Sequence, residues 1–248
     1  MNKLIIMVFL AAVSMYPRDN YSLSACDGRI YLLNGFGMEL KVYNLNKDLV
    51  DTVSLKNISA GGFFDFFVKY DMFVSYLADS EKGIIYVLDE NFALKKQSDT
   101  IGTHGVKFYK KIFPTGYNSL LTASYERDKI YSLTNNILKE ILSFDKAFTD
   151  IFVSADDLYV LSNTEISVYS TDGRFKSRTK LNSDKEYGSI SSDNGNIIIS
   201  SPGEITSVSL FERKTETIPV DENSCSLIYA GQIYYFSAVS LKLRSVKL

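Results

Sequence analysis

Hydrophobic and polar positions recur along the chain in a fixed order. The hexamer LKVYNL (40–45) returns as GIIYVL (83–88), DKIYSL (128–133), ISVYST (166–171), ITSVSL (205–210) and LRSVKL (243–248). The fourth places hold Tyr43, Tyr86, Tyr131, Tyr169, Val208 and Val246, at intervals of about forty residues. Such a period marks a repeat architecture. An apolar run precedes each hexamer: RIYLLNG (29–35), MFVSYLAD (72–79), SLLTASY (119–125), LYVLSNT (158–164), NIIISSPG (196–203) and QIYYFSA (232–238). Turn pairs stand before several of these runs: Asp27-Gly28, Asp156-Asp157, Asn194-Gly195 and Ala230-Gly231. They tolerate the positive φ of tight hairpins. Further upstream lie strand-like stretches such as FTDIFVS (148–154) and SCSLIYA (224–230). Downstream of the hexamers come more polar, alternating stretches: LVDTVSL (49–55), LKEILSF (138–144), FKSRTKL (175–181) and TETIPV (215–220). Each unit therefore predicts four short strands joined by hairpins.

The periodicity also predicts the packing. Near-continuous apolar runs in the second and third strands imply burial on both faces, whereas alternation in the fourth implies one wet face. Four-stranded sheets stacked face to face around an axis meet both demands. The expected fold is all-β: a six-bladed β-propeller of four-stranded antiparallel blades. A β-sandwich also explains short strands, but not a repeat this regular.

The motifs resemble those of six-bladed propellers built from NHL-type repeats, whose pattern runs "DG-x-IYV … I-x-VYD-x-x-G". Asp27-Gly28-Arg29-Ile30-Tyr31 is similar to its first part, and Val168-Tyr169-Ser170-Thr171-Asp172-Gly173 to its second. The resemblance covers about residues 20–248 and implies a propeller. Enzymes, sensors and adhesion modules share that architecture, so it implies no single activity.

The N-terminus adds a location. One early lysine, Lys3, precedes the unbroken apolar run Leu4–Val13, and Ala12-Val13-Ser14 follows as a small-x-small cleavage site. This reads as a secretory signal, residues 1–14, ahead of a single propeller domain, 15–248. The run is too short to span a bilayer comfortably, so cleavage would leave no stable membrane anchor. The expected location is periplasmic, cell-surface or extracellular. In the same register the last repeat has three strands, and Leu243, Ser245 and Lys247 lie on its outer edge. Residues 5–13 stand at the right distance upstream to supply the missing strand, so a signal and a closing strand compete for the same segment.

Charge is balanced, with 27 basic and 29 acidic residues, and gives no footprint for nucleic acid. Trp is absent, and His104 is the one histidine. Most zinc, haem and triad chemistry needs more histidine or paired cysteine, and no cofactor is expected. The two cysteines, Cys26 and Cys225, fall in the first strands of the first and last blades. Aligning the repeats sets Cys225 opposite Ser22, four residues out of line. That is about 13 Å along a strand, beyond the reach of a disulfide, so two buried thiols are expected.

Candidate chemistry gathers where first strands approach the axis. Asp65, Asp150, Glu186 and Glu222 come from four blades and could converge on a cation. The stretch GGFFDFFVKYDMF (61–73) carries Phe63, Phe64, Phe66, Phe67 and Tyr70, aromatics of the kind that anchor partners. The stretch HGVKFYKK (104–111) sets Lys107, Lys110 and Lys111 beside Tyr109, a loop edge suited to an anionic glycan. No nucleophile-and-base pair, phosphate loop or Cys-x-x-Cys motif occurs. The expectation is an exported, non-catalytic binding or scaffold propeller that contacts protein or glycan. The alternative is a small propeller hydrolase or lyase using a metal held by the four carboxylates.

Overall fold

The computed structural model describes residues 21–58, 65–69, 74–79, 82–116, 119–124, 126–182, 185–193, 195–209, 214–220 and 225–247, with backbone alone at 65–69, 74, 100–101, 108–110 and 214. The signal segment, Phe63, Phe64, Tyr70 and Glu222 lie outside them.

The described chain is a six-bladed β-propeller. Blade one holds β1 (Tyr21–Cys26), β2 (Arg29–Asn34), β3 (Glu39–Asn44) and β4 (Leu49–Ser54). Blade two holds β5 (Asp65–Lys69), β6 (Val74–Asp79), β7 (Ile84–Leu88) and β8 (Leu94–Asp99), followed by a short helix, α1 (Thr100–His104). Blade three is β9 (Phe108–Gly116), β10 (Ser119–Ser124), β11 (Lys129–Thr134) and β12 (Ile137–Ser143). Blade four is β13 (Asp150–Ser154), β14 (Asp157–Leu161), β15 (Glu165–Ser170) and β16 (Phe175–Lys180). Blade five is β17 (Ser189–Asp193), β18 (Asn196–Ser201), β19 (Glu204–Ser209) and β20 (Lys214–Pro219). Blade six has three described strands, β21 (Cys225–Tyr229), β22 (Gln232–Ser237) and β23 (Lys242–Lys247). Within each blade the strands follow chain order and pair antiparallel. The first strands of neighbouring blades lie side by side, and β21 meets β1 to close the ring.

Each interface between blades has its own apolar cluster. Blade one meets blade two through Tyr31, Leu33, Leu40 and Val42 against Leu77, Tyr86 and Leu88. Ala78 and Ile85 face Ile112, Leu120 and Leu133 across the next interface. Phe113, Leu121 and Ile130 face Ile151, Val153 and Leu158. Tyr159, Leu161 and Ile166 then face Ile190, Ile197 and Ile199. Ile198 and Ile205 meet Ile228, Ile233 and Tyr235. Ile30 closes the circle against Leu227 and Tyr234. Side chains alternate across a strand, so one blade serves two clusters. The fourth place of the hexamer faces the preceding blade in five repeats: Tyr43, Tyr86, Tyr169, Val208 and Val246 all join that cluster.

Three expectations need correction. The fourth strands are wetter than half-exposed: in β4, β8 and β16 every residue but the fifth is exposed. Blades diverge away from the axis, and neighbours no longer cover the outer strand. The blade-four hairpin turns at Ala155-Asp156, one residue earlier than read, since Ser154 pairs with Asp157. Cys26 and Cys225 are half-buried rather than buried. No disulfide joins them, and Cys26 pairs with Arg29 where Tyr229 pairs with Gln232, which restates the four-residue offset.

Gly173 shows why the second part of the repeat motif ends in glycine. Its φ is +92°, and a Cβ there would lie 2.8 Å from the Ile141 carbonyl oxygen of the preceding blade. Gly231 has φ +73° with open space around it. Gly231→Ala should cost about 1 kcal/mol for the left-handed backbone alone. Gly173→Ala should cost distinctly more, about 2–3 kcal/mol, because backbone must also move. Urea unfolding of the two variants checks the difference.

Burial also raises the phenol pKa of Tyr31, Tyr159 and Tyr234 above the ordinary 10.0. The unfolded chain then ionises first, so it binds fewer protons than the folded chain above that pH. Stability is fully present below about pH 10 and falls as pH rises through the raised folded values. Urea midpoints at about pH 9 and about pH 11 should show this drop, and Tyr159→Phe should shrink it.

Candidate functional site

Two places in this frame expose chemistry that the blades do not use up. The first is the axis. First strands are edge strands of their blades, so one row of their N–H and C=O groups faces the channel without a sheet partner. Side chains of the neighbouring blade answer part of this row. Asp150 Oδ2 accepts from the Ile190 amide at 2.9 Å, one blade on. Ser191 Oγ accepts from the Ile228 amide at 3.3 Å, again one blade on. Ser200 and Ser226 bond through their hydroxyls across blades five and six, and Ser189 donates to Ser200 at 2.9 Å.

Asp150 is the centre of this stitching. It is 1% exposed. Lys111 of β9 donates to its Oδ2 at 2.6 Å, so a single carboxylate ties blade three to blade four and blade four to blade five. Its Oδ1 is buried and accepts no hydrogen bond among the described residues. The lysine lies about one repeat before the aspartate in sequence, the spacing that puts two residues on adjacent inner strands.

The structure gives the residues read from the sequence these surroundings. Asp150 Oδ2 is taken up by Lys111 and the Ile190 amide. Lys111 is the ion-pair partner of Asp150 at 2.6 Å. HGVKFYKK is not one loop: residues from Phe108 onward belong to β9, the inner strand of blade three. Tyr109 and Lys110 lie on that strand, and Lys107 sits half-buried just before it. Glu186 is exposed in the crossover before β17. Asp65, Phe66 and Phe67 lie on β5, the inner strand of blade two. Among the described residues no three His, Cys, Asp or Glu side chains gather as a metal site. His104 is on the rim, where its Nε2 donates to the Asn136 carbonyl at 2.8 Å. A shallow hollow beside it is walled by Gln97, Asp99 and Thr103.

The second place is the outer side of blade six. Among the described residues, β23 pairs only with β22. Its Lys242 and Lys247 are exposed, and the four residues between are half-buried. The turn that leads into β4 reaches across from blade one, where Lys47 Nζ donates to Ser245 Oγ at 3.0 Å. Leu243, Ser245 and Lys247, the predicted edge residues, all lie on this strand.

No known protein family and no curated protein sequence matches the chain. Solved structures share its fold. A streptogramin B lyase superposes with a TM-score of 0.62 at 13% identity, over 94% of this chain and 84% of that one. A catalytically inactive His-to-Ala variant of virginiamycin B lyase from Staphylococcus aureus with quinupristin gives 0.64 at 12% identity, over 92% and 79%. The nidogen/laminin complex gives 0.63 at 11%, over 80% and 79%. Catalysts and protein-binding propellers thus stand at equal distance, and the likeness establishes the six-bladed fold.

Removing the axial carboxylate should cost about 3 kcal/mol in Asp150→Ala, because Lys111 is left with a half-buried charge lacking its counter-ion and the Ile190 amide loses its acceptor. The double change Lys111→Met with Asp150→Leu should recover a large part of that loss. Urea midpoints of the single and double variants measure the coupling.

Proposed function

We propose that this protein is an exported, non-catalytic binding propeller that takes an extended segment of a partner protein onto the outer edge of blade six. The observation that carries this reading is that, among the described residues, no fourth strand lies beside β23. Five blades cover that edge with a strand of their own; among the described residues β23 has no such cover, and in this reading its main-chain donors and acceptors serve another chain. Strand addition of this kind draws affinity from main-chain hydrogen bonds. Lys47 and Lys247 flank the edge and discourage indiscriminate self-pairing.

Export and an open edge support one another. The fourth strands β4, β8 and β16 are wet on every side chain but one, and even β12 is wet on four of seven. The run Leu4–Val13 is apolar at all ten positions, and in a fourth-strand place it would hold those side chains in water. It suits a cleaved secretory signal better than a closing strand.

The catalytic alternative finds less support. Asp150 is spent on Lys111. The lyase neighbour is inactive once one histidine becomes alanine, whereas the single histidine here is held at the rim by Asn136.

A displayed library of random peptides supplies the test. Peptides selected on the protein should lose at least about tenfold in affinity when a designed fourth strand is fused after Leu248, or when Ser245 becomes proline, with the circular dichroism spectrum unchanged. Binding that is equal in the parent and in both variants removes the edge as the site and points to the aromatic stretch Phe63–Tyr70.

A further inference from the structure

The five complete blades state what a fourth strand must look like in this protein. In β4, β8, β16 and β20 the fifth residue is half-buried: Val53, Ser98, Thr179 and Ile218. Each stands opposite the second residue of the third strand: Leu40, Ile85, Ile166 and Ile205. Blade three has one residue more in β12 but keeps the rule, with half-buried Leu142 opposite Ile130, the second residue of β11. The inward residue seals the outer end of the cluster shared with the next blade, as Val53 and Ile218 do. In blade six the second residue of the third strand is Leu243, which packs into the cluster shared with blade one.

Charge makes the rule more specific. Third and fourth strands are joined by ion pairs elsewhere in this molecule: Lys129 with Glu140 at 3.1 Å and Arg178 with Glu165 at 3.2 Å. On β23 the charged residues are Lys242, Arg244 and Lys247, all cationic, with Lys47 of blade one alongside. In the register of blade one, the first and third residues of the third strand face the sixth and fourth of its partner. Lys242 and Arg244 hold those places in blade six. Opposite charges directly across strands stabilise, and like charges repel.

We infer that the place beside β23 takes an acidic segment of a partner protein, antiparallel, with Val, Ile or Thr opposite Leu243 and carboxylates opposite Arg244 and Lys242. The inference rests on the edge-capture reading above and names the chemistry of the partner. The small β-branched side chain fills the outer end of the cluster between blades six and one. The two acids face the blade-five side, and main-chain bonds hold the register.

The test uses capped synthetic peptides and the full-length secreted protein. One peptide is a threonine-serine strand with glutamate at the fourth and sixth places and valine at the fifth. A second has lysine in place of both glutamates, a third has glutamine there, and a fourth exchanges the valine with its neighbouring glutamate. Fluorescence anisotropy should show the acidic peptide binding at least about tenfold tighter than the lysine peptide. The glutamine peptide should fall between, and the exchanged peptide should bind more weakly than the first. Lys242→Glu combined with Arg244→Glu should reverse the order of the acidic and lysine peptides. Hydrogen exchange should show β23 amides slowed by the acidic peptide. Equal binding of acidic, neutral and basic peptides overturns the acidic preference while edge capture stands. No binding by any peptide overturns both. So do β23 amides already protected in the protein alone, since the edge is then filled by the chain itself.

Discussion

Everything in this molecule depends on side-by-side packing of six twisted sheets, and above all on the one interface that must close the circle. Blade six meets blade one through Ile30, Leu227 and Tyr234, with Leu23, Tyr43 and Leu243 around them. The rings of Tyr21 and Phe236 stand 4.7 Å apart across the same seam. Polar contacts at this seam include the Gly28 amide donating to the Tyr229 hydroxyl at 3.0 Å, Tyr234 Oη donating to the Leu45 carbonyl at 3.4 Å and Lys47 Nζ donating to Ser245 Oγ at 3.0 Å. Among the described strands no sheet spans this seam, so apolar burial is what holds it. At about 25 cal/mol per Å², a few buried aromatic and branched side chains are a substantial contribution against a typical net stability of about 5–15 kcal/mol.

That mode of closure has a consequence for blade six. A ring shut by packing does not require the last blade to share a strand with the first, so β23 can keep an outer edge. The same packing places the turn of blade one beside that edge, where Lys47 reaches Ser245. A chain that paired with β23 would therefore also touch the seam that completes the propeller.

The axis solves a different problem. Inner strands must leave one row of backbone groups unpaired by their sheets, and polar side chains from the next blade answer some of it. Asp150, buried and tied to both Lys111 and Ile190, is the most expensive of these devices in desolvation. It makes three successive blades one unit, and its second oxygen has no hydrogen bond among the described residues. A carboxylate near a propeller axis invites a catalytic or metal role; its partner a repeat away gives it a structural one.

Local pattern alone determined much of this. Hexamer positions Tyr43 to Val246, the apolar runs before them and the turn pairs at Asp27-Gly28 and Ala230-Gly231 specify strands, hairpins and six repeats, because strand period and turn chemistry act within a few residues. Register within a hairpin likewise placed Cys225 away from Cys26. Tertiary structure decided what depends on residues about forty positions apart. Asp150 reads in sequence as one of four carboxylates near the axis and Lys111 as part of a basic loop edge, until adjacent inner strands bring the two within 2.6 Å. The wetness of the fourth strands follows from blades diverging, a property of the ring and not of any segment. Comparing Val53, Ser98, Thr179 and Ile218 could have shown the inward fifth place in advance, but their side chains differ too much to mark it without the shared geometry. The outer side of β23 is sequence and structure together: the repeat shows which strand the described residues lack, and the ring shows what stands around its place.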